Sequence, residues 1–221
     1  MWVKICGTTN LEDALAAVDA GADALGFVFA ESPRRMEPTV VGKIARSIPE
    51  HVEKVGVFVD ETVGRIREIV EEAGLTAVQL HGDETKDFVG PVVQQVGRGR
   101  PLRVIPAFSM QRIRHLLLQG GFIFKLPPPI DTVLIDSGAE GKRGGTGHTW
   151  EWEMEKAVVK DVCSNCHVVV AGGLTPTNVG DAIRILRPWG VDVASGVECE
   201  PGKKDHEKVR AFVKAAKSTD L

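Results

Sequence analysis

The 221-residue sequence lacks several features that would point to particular classes of protein. It has no excess of one charge, since 27 lysines and arginines stand against 30 aspartates and glutamates. A surface that tracks phosphates needs a clear basic excess, which argues against nucleic acid as the main partner. The stretch 115–124, free of Asp, Glu, Lys and Arg, is too short to cross a bilayer. Residues 1–15 already contain Lys4, Glu12 and Asp13, so we expect no secretory signal, no membrane partner and a cytoplasmic location.

The sequence is also poor in cysteine, with four residues at positions 6, 163, 166 and 199. A chain of this length needs no disulfides to stabilise its core, and four cysteines do not suggest a disulfide framework. Cys163-Ser164-Asn165-Cys166-His167 matches a haem-attachment pattern or half of a zinc site. A zinc site would need a second Cys/His pair at the usual spacing, and haem attachment occurs outside the reducing cytosol. We therefore interpret this segment as a loop before the apolar run 168–170.

Eight short apolar runs, rich in Val, Ile or Phe, are spaced along the whole chain. They predict β-strands at 2–6, 24–29, 54–59, 77–80, 103–108, 132–136, 167–171 and 191–194. Helical patterns lie between them, for example at 11–20, 63–73, 177–186 and 206–216, with apolar residues at steps of three and four. Strands that are apolar on both faces are typical of a parallel sheet covered by helices.

Eight βα units without a Pro- or Ser-rich linker could form a doubly wound sheet or close into a barrel. A dinucleotide-binding sheet would carry Gly-x-Gly-x-x-Gly after an early strand, whereas Cys6 is followed by Gly7 alone. The number of units and the chain length favour closure. The sequence therefore predicts one α/β domain over residues 1–221, a single (β/α)8 TIM barrel.

Reactive side chains stand where several of the predicted strands end. Cys6 ends the first strand, His81 the fourth and Asp136 the sixth, while the second runs into Arg34 and Arg35. The active site of a (β/α)8 barrel lies at the carboxyl ends of its strands, so these side chains predict a general acid–base site. Taken singly, each could instead be a buried thiol, a structural histidine, a turn residue or a solvated charge. Their shared location favours the functional interpretation.

The sequence has no tyrosine but 24 glycines, and some of them follow the last two predicted strands. Gly172 and Gly173 come after the seventh strand, and Ser195 and Gly196 after the eighth. Glycine lets backbone N–H groups approach an anion closely, and barrels commonly hold phosphate in these two loops. Tight packing turns are the alternative. A third glycine cluster, 141–147, is interpreted as a mobile lid, or else as a flexible linker.

In addition to these patterns, the chain resembles the phosphoribosylanthranilate isomerase family of tryptophan biosynthesis. The resemblance rests on motifs spread in family order over nearly the whole chain: KICGTT at 4–9, GFVF at 26–29, SPR at 32–34, VFV at 57–59, VQLHG at 78–82, LID at 134–136, GGTG at 144–147, AGGLTPTNV at 171–179, VDVASGVE at 191–198 and PGKKD at 201–205.

The resemblance implies an Amadori rearrangement of N-(5′-phosphoribosyl)anthranilate without a metal or an organic cofactor. It implies that Asp136 is the general acid that opens the sugar ring and that Cys6 is the general base that removes the C2′ proton. A thiolate is a competent base near neutral pH when positive charge or a dipole lowers its pKa. Lys4, on the same face of the first strand as Cys6, is our candidate for that charge.

The family pattern also assigns the substrate-binding residues. Arg34 aligns with the arginine that holds the anthranilate carboxylate, although a one-residue slip would exchange it with Arg35. His81 matches a family histidine in the site, with an orienting role rather than a role in proton transfer. Phosphate is expected on the backbone of the two glycine-containing loops, at Gly172, Gly173, Ser195 and Gly196.

Two segments depart from the family pattern, namely the proline-rich stretch 121–131 and the Cys163–Cys166 motif. Three other functions stay open at this point. The histidine-pathway isomerase is a sugar-phosphate barrel, but it has a carboxylate at the end of its first strand, where this chain has Cys6. A metal or haem module could use Cys163, Cys166 and His167, and a catalytically inactive barrel could serve interactions. The sequence leaves the oligomeric state open between a monomer and a homodimer.

Overall fold

The computed structural model describes residues 1–82, 86–96, 102–118, 130–137, 151–164 and 166–219. Its eight longer strands are β1 Trp2–Cys6, β2 Ala24–Val28, β3 Glu53–Phe58, β4 Ala77–Leu80, β5 Arg103–Ser109, β6 Thr132–Asp136, β7 His167–Ala171 and β8 Gly190–Val193. The helices are α1 Leu11–Asp19, α2 Pro38–Ala45, α3 Val63–Ala73, α4 Lys86–Val96, α5 Met110–Leu118, α6 Trp152–Cys163, α7 Val179–Leu186 and α8 His206–Ser218. A 3-10 turn, Ser195–Val197, leads into two short antiparallel strands, β9 Glu198–Glu200 and β10 Lys203–Lys204.

The eight longer strands form a closed barrel in chain order, and all neighbours are parallel. Closure joins β8 to β1, where Lys4 stands beside Asp192 in the register. The predicted (β/α)8 barrel is therefore confirmed. Each βα unit crosses from one strand to the next with its helix outside the sheet, which is how parallel neighbours are connected.

Helix α3 illustrates how local sequence sets an element, since it spans the residues that the apolar period predicts. The Thr62 hydroxyl accepts a hydrogen bond from the backbone N–H of Arg65 at 3.3 Å and caps the first turn. Gly74 ends the helix in the left-handed conformation at φ 66°. The periodic apolar side chains are buried, and helix α3 packs them into the core between barrel and helices.

The structure differs from the sequence prediction after β7 and β8. Helix α7 begins at Val179, two residues later than predicted, because Asn178 stabilises a turn before it. The Asn178 side chain accepts from the Thr175 N–H at 2.7 Å and donates to the Gly173 carbonyl at 3.0 Å. Strand β8 runs from Gly190 to Val193, one residue earlier than predicted, and the β9–β10 hairpin was not predicted.

The main core lies between the barrel and its helices, whereas the barrel interior is packed by two small apolar clusters. Trp2 contacts both inner clusters, and the absence of a side chain at Gly190 leaves room for its ring. Aliphatic residues, several of them alanines, therefore fill the barrel interior around Trp2. Lys4, Gln79 and Asp192 are buried nearer the carboxyl ends, and this is where polar chemistry is available.

Three features of the sequence analysis lie outside the described residues: the glycine cluster 141–147 interpreted as a lid, most of the proline-rich stretch 121–131, and Asn165. Within the described ranges, no helix is long and apolar enough to span a membrane.

Candidate active site

A cavity of about 680 Å³ opens at the carboxyl ends of the barrel strands. Its lining contains all eight residues that the sequence analysis selects: Cys6, Arg34, His81, Asp136, Gly172, Gly173, Ser195 and Gly196. The barrel thus brings together side chains from β1, β4 and β6 and backbone from the loops after β7 and β8.

Cys6 lies at the end of β1 with 8% of its surface exposed. Gly26 on β2 leaves room for it, since a Cβ at position 26 would lie 2.8 Å from the Cys6 sulfur. Burial raises the pKa of the Cys6 thiol, and the positive charges of Lys4 and Lys204 offset this only in part. Our expectation of a lowered thiol pKa was therefore wrong for this structure, because the loss of hydration outweighs the nearby cations.

Lys4 is fully buried beneath Cys6 and forms an ion pair with Asp192, with 3.0 Å between Nζ and Oδ1. Burial by itself would lower the pKa of Lys4, but Asp192 and Cys6 outweigh burial and hold the pKa of Lys4 above its ordinary value. Lys4 is thus a permanent cation next to the thiol. The cation predicted beside Cys6 is therefore present, whereas its partner carboxylate, Asp192, was not predicted.

His81 connects the carboxyl of Asp136 to the buried amide of Gln79. The His81 Nε2 lies 3.7 Å from Asp136 Oδ2, and its Nδ1 lies 2.9 Å from Gln79 Nε2. An amide that donates to Nδ1 places the proton of a neutral imidazole on Nε2, the atom that faces Asp136. The structure thus places His81 between Gln79 and Asp136, and its orienting role stays a prediction.

Arg34 is held beside Cys6 by a carboxylate. Its guanidinium makes two hydrogen bonds to Glu198, Nε to Oε1 at 2.8 Å and Nη2 to Oε2 at 2.6 Å. Gly7, at φ 72°, makes room for the arginine, since a Cβ there would lie 2.4 Å from Arg34 Cδ. Arg35 also lines the cavity, but its side chain is exposed. Both candidate arginines therefore reach the cavity, and Arg34 is the one fixed in place.

The loops after β7 and β8 contact each other at the rim of the cavity. Gly172 and Gly173 have positive φ values of 89° and 65°, which favour glycine. A Cβ at Gly172 would lie 2.0 Å from the Ser137 hydroxyl oxygen, and one at Gly196 would lie 1.9 Å from the carbonyl oxygen of Leu174. Glycine is required at these positions for backbone to approach backbone, and the same property permits close approach of an anion.

Four residues near the cavity were not assigned a role by the sequence analysis: Gln79, Asp192, Glu198 and Lys204. All four are buried polar or charged side chains. Asp192 could have been predicted from the sequence, because it is a charged residue within an otherwise apolar strand. When the first and last strands pair, it lies next to Lys4. Glu198 and Lys204 belong to the unpredicted hairpin, and the signal for them was their place in the family motifs at 191–198 and 201–205.

The Cys163–Cys166 motif runs from the last residue of α6 to the residue before β7, away from the cavity. The interpretation of the whole segment as a loop was therefore wrong at Cys163, which belongs to the helix. Burial raises the pKa of Cys166 to about 12, and the His167 ring stacks on Trp189 with 4.7 Å between centroids. Among the residues that the structure describes, no group of three or more His, Cys, Asp or Glu side chains could hold a metal ion. The described residues therefore give no support to a metal module here.

Fold and cavity together define a (β/α)8-barrel enzyme whose cavity combines a thiol, an imidazole and a carboxyl with two glycine-containing loops. The family model of N-(5′-phosphoribosyl)anthranilate isomerase matches residues 3–215, and the chain belongs to this family of isomerases.

Individual relatives agree with the family match. An N-(5′-phosphoribosyl)anthranilate isomerase of Pelobacter propionicus is 42% identical over 218 residues, which cover 98% of this chain and 96% of the relative. A phosphoribosyl anthranilate isomerase solved with reduced 1-(o-carboxyphenylamino)-1-deoxyribulose 5-phosphate is 36% identical, with a TM-score of 0.78 and 98% of each chain covered. Monomers generated from the dimeric enzyme of Thermotoga maritima are 35% identical, with the same TM-score and coverage. These matches favour this family over the histidine-pathway isomerase.

Proposed function

We propose that this chain converts N-(5′-phosphoribosyl)anthranilate to 1-(2-carboxyphenylamino)-1-deoxyribulose 5-phosphate in tryptophan biosynthesis, with Cys6 as general base and Asp136 as general acid. The observation that carries the proposal is that the thiol on β1 and the carboxyl on β6 line one cavity. Two proton-transfer groups on different strands can flank a single substrate, as acid–base catalysis requires. Family membership supports the identity of the substrate.

In the proposed mechanism, Asp136 first donates a proton to the furanose ring oxygen. The C1′–O bond breaks, the ring opens, and the anilino nitrogen forms a Schiff base to C1′. Cys6 acts as the base after its thiol has lost its own proton, a step that the neighbouring Lys4 cation favours. The thiolate then takes the C2′ proton, and the electron pair of that bond neutralises the iminium nitrogen. The resulting enolamine tautomerises to the ketone, so that hydrogen is moved and no oxidant or reductant is consumed.

The remaining cavity residues supply binding. Arg34 matches a carboxylate with its planar fork and is proposed to hold the anthranilate carboxylate. His81 orients Asp136 and the substrate, as its 3.7 Å approach to that carboxyl supports. The 5′-phosphate is proposed to bind the backbone of Gly172, Gly173, Ser195 and Gly196. A relative solved with a phosphorylated product analogue supports a phosphate subsite in this family.

The decisive experiment measures turnover of freshly made phosphoribosylanthranilate as a loss of anthranilate fluorescence. We expect Cys6→Ala and Asp136→Asn each to reduce kcat by about 1,000-fold, because a positioned acid or base contributes about 10² to 10⁴. Cys163→Ala and Asp131→Asn, at the amino ends of β7 and β6, are matched controls that keep wild-type turnover. Full activity in either cavity variant would contradict its assigned role, and a wild-type chain without turnover would identify an inactive barrel.

We also propose that residues 1–221 form one catalytic domain, which works in the cytoplasm as a monomer or a homodimer. The family match over residues 3–215 and the description of a Thermotoga maritima relative as dimeric support this proposal. The proposed chemistry uses side chains and backbone alone, and it calls for neither a metal or organic cofactor nor a nucleic-acid or membrane partner. Light scattering after gel filtration would establish the oligomeric state.

A further inference from the structure

A network of buried charges next to the cavity has no part in the proton transfers described above. It consists of Arg34, Glu198 and Lys204, and the side chain of Glu198 is 4% exposed. Burying a carboxylate is costly unless charge and hydrogen bonds compensate it. Burial by itself would raise the pKa of Glu198, yet the hydrogen bonds from Arg34 and Lys204 lower it below its ordinary value. Glu198 is therefore an ionised carboxylate between two cations.

Glu198 fixes one edge of the Arg34 guanidinium. It accepts from Nε at 2.8 Å and from Nη2 at 2.6 Å, which sets both the position and the plane of the fork. The Nη1 group takes part in no hydrogen bond or ion pair with any residue that the structure describes. Because Arg34 lines the cavity, its remaining donors are available to an anionic group there.

Lys204 anchors Glu198 to the barrel. Its Nζ lies 2.9 Å from Glu198 Oε1, 2.5 Å from the carbonyl oxygen of Cys6 and 3.2 Å from that of Ala194. These three acceptors match the three hydrogens of an ammonium group. The lysine thus ties the ends of β1 and β8 to the carboxylate that holds Arg34.

We propose that Glu198, anchored by Lys204, is a positioning residue that sets the substrate specificity of the enzyme by aiming Arg34 at the substrate carboxylate. An arginine on a mobile loop loses conformational entropy when it binds an anion, whereas one already held by a buried carboxylate loses little. The enzyme therefore distinguishes an aminobenzoate substituent from an unsubstituted aniline. This inference rests on the proposed function, in which Arg34 binds the anthranilate.

The test compares N-(5′-phosphoribosyl)anthranilate with N-(5′-phosphoribosyl)aniline, which lacks the carboxylate. We expect the wild type to prefer the anthranilate by about 100-fold in kcat/KM, as a charge-assisted bidentate contact would give. Glu198→Gln is expected to raise KM for the anthranilate about tenfold, with kcat within threefold of the wild type. The kinetic constants for the aniline are expected to stay within about twofold, because no carboxylate is present to be misaligned.

A double-mutant cycle separates positioning from structure. Arg34→Ala removes the preference for the anthranilate, and adding Glu198→Gln to it lowers the preference no further, because the two residues act through one contact. Glu155→Gln is the matched control. Glu155 is also a buried carboxylate hydrogen-bonded to both Nε and Nη2 of an arginine, Arg114, but it joins α6 to α5 away from the cavity. It is expected to lower stability without changing the preference.

Calorimetry measures the affinity for product analogues without any turnover. It therefore tests the role of Glu198 separately from the acid–base roles of Cys6 and Asp136. The probes are reduced 1-(o-carboxyphenylamino)-1-deoxyribulose 5-phosphate and its phenylamino counterpart without the carboxyl group. A wild type that prefers the first ligand but has no turnover contradicts the acid–base assignment and leaves the role of Glu198 intact. Equal losses of affinity for both ligands in Glu198→Gln, or no loss for either, would overturn the positioning role. If that variant does not fold, Glu198→Asp is tested in the same way. We expect it to lose less affinity than Glu198→Gln, and only for the ligand with the carboxyl group.

Discussion

At the scale of single residues, Cys6 shows how burial and charge compete for the same proton. The sequence places Lys4 two positions earlier on the same face of β1, and this correctly predicts a cation beside the thiol. It does not reveal that the thiol is 8% exposed, and burial raises its pKa more than Lys4 lowers it. Lys4 therefore limits the cost of forming the thiolate without making Cys6 an acidic cysteine.

A first prediction concerns this electrostatic balance. We expect Lys4→Met to raise the pKa of Cys6 further, because the main charge that stabilises the thiolate is removed. The double variant Lys4→Met/Asp192→Asn is expected to raise the pKa of Cys6 less than Lys4→Met alone. The charge of Asp192 itself raises the thiol pKa, and the double variant removes that charge as well. The rate of alkylation of Cys6 by iodoacetamide, followed by peptide mass spectrometry from pH 6 to pH 11, reports both shifts.

The control for this experiment is Asp131→Asn, which lies near Cys166 and contributes to the raised pKa of that thiol. It is expected to change alkylation at Cys166 and to leave Cys6 unchanged. Alkylation of Cys6 that begins at lower pH in Lys4→Met would show that Lys4 does not stabilise the thiolate.

At the scale of elements, the loops after β7 and β8 depend on close backbone contact. Gly172 and Gly173 after β7 and the single Gly196 after β8 predict such loops. The structure places the two loops against each other at Gly196 and Leu174. The start of α7 was less predictable. Its helical period extends back to Thr177. The Asn178 side chain, however, accepts a hydrogen bond from the Thr175 N–H and donates one to the Gly173 carbonyl, and these bonds hold that segment as a turn. Hydrophobic periodicity reports which residues are buried, and it does not detect a side chain that stabilises a turn before the helix.

The second prediction is that Gly196→Ala distorts the β8 loop. A Cβ there would overlap the carbonyl oxygen of Leu174, which is backbone and cannot rotate away. We expect KM for the phosphorylated substrate to rise about tenfold, with stability lower by about 1–3 kcal/mol. Steady-state kinetics and urea unfolding measure the two effects.

Gly64→Ala provides the matched substitution for that experiment. Position 64 lies in the first turn of α3, where an added Cβ meets nothing within 4 Å. This variant is expected to keep the wild-type KM and to change stability by no more than about 1 kcal/mol, in the stabilising direction. An unchanged KM in Gly196→Ala would contradict the role of this loop in phosphate binding.

At the scale of the whole molecule, the two ends of the barrel have different roles. The carboxyl ends of the strands carry the cavity, and the amino ends are closed by an aromatic stack. Trp189 lies between Trp2 and His167, with centroid distances of 5.2 and 4.7 Å, and the Arg103 guanidinium stands 5.0 Å from its ring. In (β/α)8 barrels the amino end serves stability and the carboxyl end serves catalysis.

A third prediction tests this division. Trp189→Ala removes the centre of the stack and exposes the inner apolar cluster, so we expect the free energy of unfolding to fall by about 2–4 kcal/mol. The kcat and KM values are expected to stay within about twofold at temperatures where the variant is folded. Urea denaturation and turnover on the same preparation provide the comparison. A variant with lost turnover and unchanged stability would show that the two ends are not separate in function.

The sequence by itself determined the order of the βα units, their closure into a barrel and the placing of Cys6, His81 and Asp136 at strand ends. The units and the strand ends follow from local periodicity and from where each apolar run stops, and neighbouring residues determine both. Closure follows from the number of units and the chain length. Tertiary structure alone decided the electrostatics of the cavity. The pairs Lys4–Asp192 and Arg34–Glu198 join residues 188 and 164 positions apart, and they form only because β8 closes on β1. Burial raises the pKa of the Cys6 thiol, whereas Arg34 and Lys204 keep the buried Glu198 ionised. Both effects are properties of the assembled barrel, because water is excluded by all its elements together.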